Sequence, residues 1–214
     1  MTSALILNTS MLELQAVQRW RKRVLALLLG FAVFAILFVS SAWRAPYPVI
    51  YFAIESLGIV LIAMCIMGRT WCTLYIGGRK KGELVKDGPY SIVRNPLYVF
   101  SLIGIAGIGA QVGSLITMVV LPMITWVVFR LVVAEEEKFL ADAFGDSYRD
   151  YCARVPRFVP DLSNWHDVGQ LLINPQTVAR TFLESSLFLA AIPAGDLADW
   201  LQAIHVLPVF FHVP

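Results

Sequence analysis

Apolar residues in this chain run in long unbroken blocks and do not alternate with polar ones. Val24 to Trp43, Val49 to Gly68 and Leu115 to Ala134 each approach the roughly 20 residues a helix needs to cross a hydrocarbon core of about 30 Å. Continuous runs of this kind predict helices and argue against strands, which would alternate between two faces. A shorter block, Leu97 to Ala110, carries Gly104, Ala106, Gly107, Gly109 and Ala110, small residues that let helices pack closely in lipid. Pro96 suits its first turn, Gln111 to Ser114 forms the turn, and the return helix contains Pro122, where a kink is expected.

The flanks are amphipathic. Met11, Leu14 and Val17 recur at helical spacing and lead into Arg19, Trp20, Arg21, Lys22 and Arg23, as a surface helix feeding the first span would. Phe139 to Tyr151 is amphipathic with Gly145 as an interruption, and Val155 to Pro160 cannot be regular helix. Phe182 to Ile192 and the stretch ending at Pro214 are each too short to span, so a kinked or surface-lying helical pair is expected there. The pattern as a whole predicts an all-α, polytopic membrane protein of about four transmembrane helices with C-terminal amphipathic or re-entrant helices. It divides into a cytoplasmic segment 1–23, two spans and a basic loop over 24–87, a polar-box and hairpin core over 88–160, and a membrane-associated tail over 161–214.

Composition agrees: 58% of the residues are hydrophobic and 15% charged, and the mean hydropathy is +0.70, outside the range of a soluble domain. A net charge of +2 gives no footprint for nucleic acid. Two basic clusters, Arg19 to Arg23 and then Arg79, Lys80, Lys81, Lys86 and Arg94, stand on one side of two spans. Placing both termini and the 69–94 loop in the cytoplasm satisfies the positive-inside rule. No cleavable signal is evident, since residues 1–18 are polar and amphipathic and the first apolar run is long. Cys65, Cys72 and Cys152 form no paired motif, and His166, His205 and His212 stand singly, so neither a disulfide framework nor a metal site is expected. Glu55 lies within the second run near its outer edge, where a paired or snorkelling structural role is the expectation. The glycine-containing basic loop over 69–87 lacks the spacing of a phosphate-binding fingerprint.

The chemistry-bearing residues gather at the two ends of the hairpin. Tyr90, Arg94, Asn95 and Tyr98 precede it, and Glu135, Glu136 and Glu137 follow it, so a hairpin that leaves and returns to one surface brings them together. A fixed cation, an amide, carboxylates and aromatic faces suit a zwitterionic ligand with an aromatic part. An interfacial ion-pair network would use the same residues.

Order and spacing add to this. Gly88, Pro89, Tyr90, Arg94, Pro96 and Tyr98, followed by Glu136, Glu137, Leu140, Gly145, Tyr148, Tyr151, Arg154, Val155 and Pro156, resemble the paired motifs of the isoprenylcysteine carboxyl methyltransferase family and its phospholipid methyltransferase relatives. The resemblance implies S-adenosylmethionine as cofactor, bound by Tyr90, Arg94, Asn95, Pro96, Tyr98, Glu136 and Glu137. It also implies a methyl acceptor drawn from the bilayer, with Arg154 or Arg157 holding it and Arg94, Asn95 and Arg154 nearest the chemistry. Asn95 departs from the family, which has histidine there. An amide keeps the hydrogen-bonding shape but cannot titrate near neutral pH, which favours an acceptor that is already anionic, such as the carboxylate of a prenylated cysteine, over an amine. A phospholipid N-methyltransferase, an NADPH-dependent sterol-reductase-like enzyme and a non-catalytic protein of the same fold are the alternatives.

Overall fold

A computed structural model describes residues 27, 30–78 and 83–214; the amphipathic segment before residue 24, its basic cluster and the bases at 79–81 lie outside the described residues. Residues 30–38 are helical (α1) and lead into a short strand, β1 (Val39–Ser41). The helices that follow are α2 (Pro48–Ile76), α3 (Pro89–Ile92), α4 (Pro96–Ala110), α5 (Leu115–Phe144), α6 (Asp146–Arg154), α7 (Pro175–Ser186) and α8 (Ala191–Ala203), with 3-10 turns at Leu162–Asn164 and Leu187–Ala190 and a last strand, β2 (Phe211–Val213).

The predominance of helix and the hairpin agree with the apolar pattern. Among the described residues, α2 and α5 are long and apolar enough to cross a bilayer, while α4 is shorter. α2 has proline at its first turn, no proline inside, and 29 residues. At 1.5 Å per residue it exceeds the bilayer core and carries Arg69 to Ile76 as helix, where the sequence suggested a loop. α5 continues through Pro122 and ends at Gly145, whose φ of +54° suits glycine. The turn between α4 and α5 contains Gly113 at φ +69°.

Close approach of α2 and α4 comes from their glycines. A Cβ on Gly107 would lie 2.7 Å from the Gly58 carbonyl oxygen and 2.8 Å from Ile62, and one on Gly104 would lie 2.5 Å from the Cys65 sulfur. In lipid, where apolar faces gain nothing by leaving water, such contact is the main source of helix association. Arg69 pins a third element to this pair: it donates through Nε to the Ser185 hydroxyl of α7 at 2.8 Å and through a terminal nitrogen to Ser101 of α4. All three cysteines are free, with Cys65 and Cys72 buried.

The structure refines several expectations and corrects the extent of the first helix. Helix predominates as expected, with one addition: two three-residue strands, β1 and β2, pair in parallel, Val39 with Phe211 and Ser41 with Val213. The first apolar run does not continue as helix to Trp43, since its described helical residues end at 38 and extended backbone follows. Of the roughly four spans expected, two helices of spanning length, α2 and α5, stand among the described residues, and the first apolar run lies partly outside them. The C-terminal segment is a helical pair broken by a 3-10 turn, the kinked form of the pair expected from the sequence, and it docks on the helices before it. Thr177 packs on Gly77, Ser185 on Arg69, Phe188 beside Gly104 and Cys65, and Asp199 accepts a hydrogen bond from Tyr51. α7 and its 3-10 turn thus run antiparallel beside α2, and α8 continues toward the Tyr51 end, a composite helix that neither apolar piece announced.

The chain end therefore sits opposite the polar boxes, not beside them. Ser114 donates to the Pro214 carbonyl at 2.6 Å, and Ser41 to the Gly113 carbonyl at 2.6 Å. At this far end Glu55 and Asp199 share the Tyr51 hydroxyl, and Arg44 pairs with Asp199 at 3.0 Å, so Glu55 is partnered, in line with its structural reading. In a cysteine-free background, His212→Cys and Lys86→Cys should label from opposite sides of a sealed vesicle. Labelling of both from one side would contradict the antiparallel path of α7 and α8.

Candidate functional site

The box is held rigid by backbone geometry and by the tail that folds back over it. Gly88 takes φ +59°, and a side chain there would run into the Tyr75 ring, so glycine serves both conformation and space. Pro89 opens α3, and Pro96 opens α4 and is fully buried. The tail then supplies the missing partners: Arg94 N–H donates to the Pro156 carbonyl at 2.9 Å, Asp161 N–H to Ile92 at 2.9 Å, and Gly88 N–H to His166 at 2.9 Å. The Tyr151 hydroxyl donates to the Tyr90 carbonyl at 2.7 Å, and His166 N–H to the Ser91 hydroxyl at 3.2 Å.

The two ends of the hairpin meet at Glu137, which is 8% exposed. Arg94 reaches its Oε1 at 3.5 Å, the Asn95 side-chain amide donates to the same oxygen at 3.4 Å, and Arg157 grips Oε2. The Asn95 amide also donates to the Arg157 carbonyl at 3.3 Å. One turn along the inner face, Tyr98 donates to Glu136 at 2.9 Å and packs edge-on against Phe129. Glu135 points away and is exposed. Arg94 also borders an open cleft of about 470 Å³ lined with Cys152, Arg154, Val155, Pro156, Val159 and Asp161.

Of the residues picked out in the sequence, the fold thus unites Arg94, Asn95, Glu137 and Arg157, with Tyr98 and Glu136 adjoining. It does not bring the others to the carboxylates. The Tyr90 ring turns the opposite way, into the cluster of Cys72 and Tyr75 under α2. Arg154 stands on the outer rim of the cleft, its Nε bonded to the Asp150 carbonyl at 3.3 Å. Burial pushes the phenols of Tyr90, Tyr148 and Tyr151 above their usual range, so they stay neutral. Residues the sequence did not single out, Asp161 and His166, prove to be part of the frame. Their contribution is mainly backbone, which residue type does not advertise.

The arrangement fits a zwitterionic cofactor on one further observation. Arg94 Nε and Arg157 Nε are buried without a hydrogen-bond partner among the described residues, an expensive condition for charged groups. Two cations with unspent donors flank one carboxylate, and a second carboxylate lies beside it. Such a donor and acceptor set can take both ends of an amino-acid moiety.

The family match and the partial match to an isoprenylcysteine O-methyltransferase put this apolar hairpin, with its paired polar boxes, among the membrane methyltransferases. The chain belongs to the phospholipid methyltransferase family, which it matches over residues 26–147. It is 34% identical to the cobalt-zinc-cadmium resistance protein CzcN of Cupriavidus metallidurans, over 88% of this chain and 86% of that one. It is 32% identical to the nickel-cobalt-cadmium resistance protein NccN of Alcaligenes xylosoxydans xylosoxydans, over 89% and 91% of the two chains. A protein-S-isoprenylcysteine O-methyltransferase of Schizosaccharomyces pombe matches at 32% identity over 46% of this chain and 42% of its own. No solved structure matches the chain.

Proposed function

We propose that this protein transfers a methyl group from S-adenosylmethionine to a lipid-borne carboxylate, that of an isoprenylated cysteine being the closest fit, which enters sideways from the bilayer. The observation that carries the reading is Glu137 held by Arg94, Asn95 and Arg157 across the hairpin, next to a cleft with Arg154 on its rim. The partial match to an isoprenylcysteine O-methyltransferase supports it. When bound, the cofactor supplies an electrophilic methyl group on a sulfonium.

The chain's own groups do the rest. Arg94 and Arg157 hold a carboxylate through their guanidinium groups, Glu136 and Glu137 accept from ammonium or hydroxyl groups, and Asn95 fixes the Glu137 carboxyl by donating to it. Arg154 offers the acceptor a cation. A carboxylate has an ordinary pKa near 4 and is anionic at neutral pH, so alignment and exclusion of water suffice, and the non-titrating Asn95 is no handicap. The bases at the box end, among them Arg69, Lys86, Arg94 and Arg149, against the carboxylates Glu55, Asp196 and Asp199 around Arg44 at the other, support a cytoplasmic site by the positive-inside rule.

A second reading is favoured by the relatives that match along nearly the whole chain and are named for metal resistance: the acceptor belongs to a membrane system that confers it. Radiolabelled cofactor offered with farnesylcysteine analogues and with phosphatidylethanolamine in parallel separates the acceptors. Alkali-labile methyl ester on the farnesylcysteine is expected. Alkali-stable label in the phospholipid would overturn the carboxylate, and label in neither, with metal sensitivity of a deletion strain, would favour the second reading.

A further inference from the structure

Arg130 lies on the spanning helix α5, seven positions before Glu137 and so about 10 Å deeper along its axis. It is exposed and has no carboxylate partner among the described residues. The positions three and four residues away on α5 are Trp126, Val127, Val133 and Ala134, so the helix provides no counter-charge. Glu137, on the same flank, already holds Arg94, Asn95 and Arg157. A guanidinium facing lipid without a counter-ion is costly.

Its surroundings are nevertheless ordered. The guanidinium carbon stands 4.9 Å from the centre of the Trp126 ring, and Phe158 of the tail meets the same ring at 6.5 Å in an edge-to-face arrangement. Stacking on an indole fixes the plane of the fork and leaves its N–H edge available. The next tail residue, Val159, is 77% exposed, so an apolar surface continues beside the cation. A cation with a fixed planar fork, an aromatic shelf that sits well at the headgroup level and an adjoining apolar wall are the elements of a site for an anionic headgroup with chains attached.

We propose that Arg130, shelved on Trp126 and bordered by Phe158 and Val159, binds the phosphate of a bilayer phospholipid on the flank of α5, below the Glu137 site. The bond is a charge-assisted, two-pronged contact from the guanidinium to phosphate oxygens, and the acyl chains lie along the apolar face of the helix. This assignment is independent of the methyl-transfer reading, since it involves neither the cofactor nor its ligands.

The test uses full-length protein in a neutral detergent, with bound lipid counted by native mass spectrometry. The probes are dioctanoyl phosphatidylglycerol, dioctanoylglycerol, which lacks the phosphate, and inorganic phosphate. Phosphatidylglycerol should bind, dioctanoylglycerol should bind at least tenfold more weakly, and Arg130→Gln should weaken phosphatidylglycerol at least tenfold. Arg149→Gln, which removes an exposed arginine already paired with Asp146 at 2.9 Å, should leave binding unchanged. Equal binding of the two lipids, or unaltered binding in Arg130→Gln, would overturn the site. Full displacement of phosphatidylglycerol by millimolar inorganic phosphate would overturn the lipid as its occupant.

Discussion

Glu137→Ala should abolish methyl transfer and destabilise the protein at the same time. Its carboxylate is the common partner of Arg94, Asn95 and Arg157, and Arg94 keeps 14% of its side-chain surface exposed. Removing the shared carboxylate leaves Arg94 uncompensated in a buried setting, while Arg157, with 38% of its side chain exposed, is partly screened by solvent, so the cost should fall near the lower end of the roughly 3–5 kcal/mol for a broken buried pair. Cofactor affinity should fall by about a hundredfold, the loss expected for one or two charge-assisted contacts. Glu137→Gln keeps the shape and one acceptor, so it should retain more stability than activity. Thermal unfolding together with S-adenosylmethionine titration checks both parts. An alanine variant with wild-type stability and affinity would mean that Glu137 is not the joint between the boxes.

Gly107→Leu should be the most disruptive change far from the site. The α2 and α4 backbones meet where Gly107 faces Gly58 and Ile62, and α4 carries Tyr98 and Ser101 to their partners. A leucine would force the helices apart, losing the contacts of both neighbouring glycines and the bond from Arg69 to Ser101. Overpacking costs about 1–3 kcal/mol even where a core can adjust; backbone against backbone cannot, so the loss should exceed that range. Retained folding in detergent, followed by the melting temperature, would contradict the close approach. Gly169→Leu, with open space around it, serves as the control.

Legibility in the sequence followed physical scale. Long apolar runs are local and self-reporting, so α2, α4, α5 and the turn at Gln111 to Ser114 could be placed from residues alone. So could the breaks at Gly145 and at Val155 to Pro160, where backbone freedom or its loss is written in residue type. Arg94, Asn95 and Glu137 could be grouped because a hairpin must return to its starting face. What was not legible depends on pairing between distant segments. Phe182 to Ile192 is too short to span, and its docking beside α2, through Ser185 on Arg69 and Asp199 on Tyr51, depends on partners more than a hundred positions away. The strands pair across 172 positions of chain, as Val39 with Phe211 shows, and three residues carry no periodicity to announce them. Tyr90 sits in the box motif, yet its ring faces α2. Motif membership fixed its backbone position and said nothing of its side-chain direction.

The central claim is that the Arg-Asn and Glu-Glu boxes, separated in sequence by the hairpin, form one S-adenosylmethionine site. Calorimetric titration of the purified protein in detergent, with S-adenosylmethionine and separately with NADPH, tests it most directly. The account predicts one S-adenosylmethionine bound per chain, no binding of NADPH, and at least a tenfold loss of affinity in both Arg94→Ala and Glu136→Ala. NADPH binding in place of S-adenosylmethionine, or unaltered S-adenosylmethionine affinity in either variant, would contradict it.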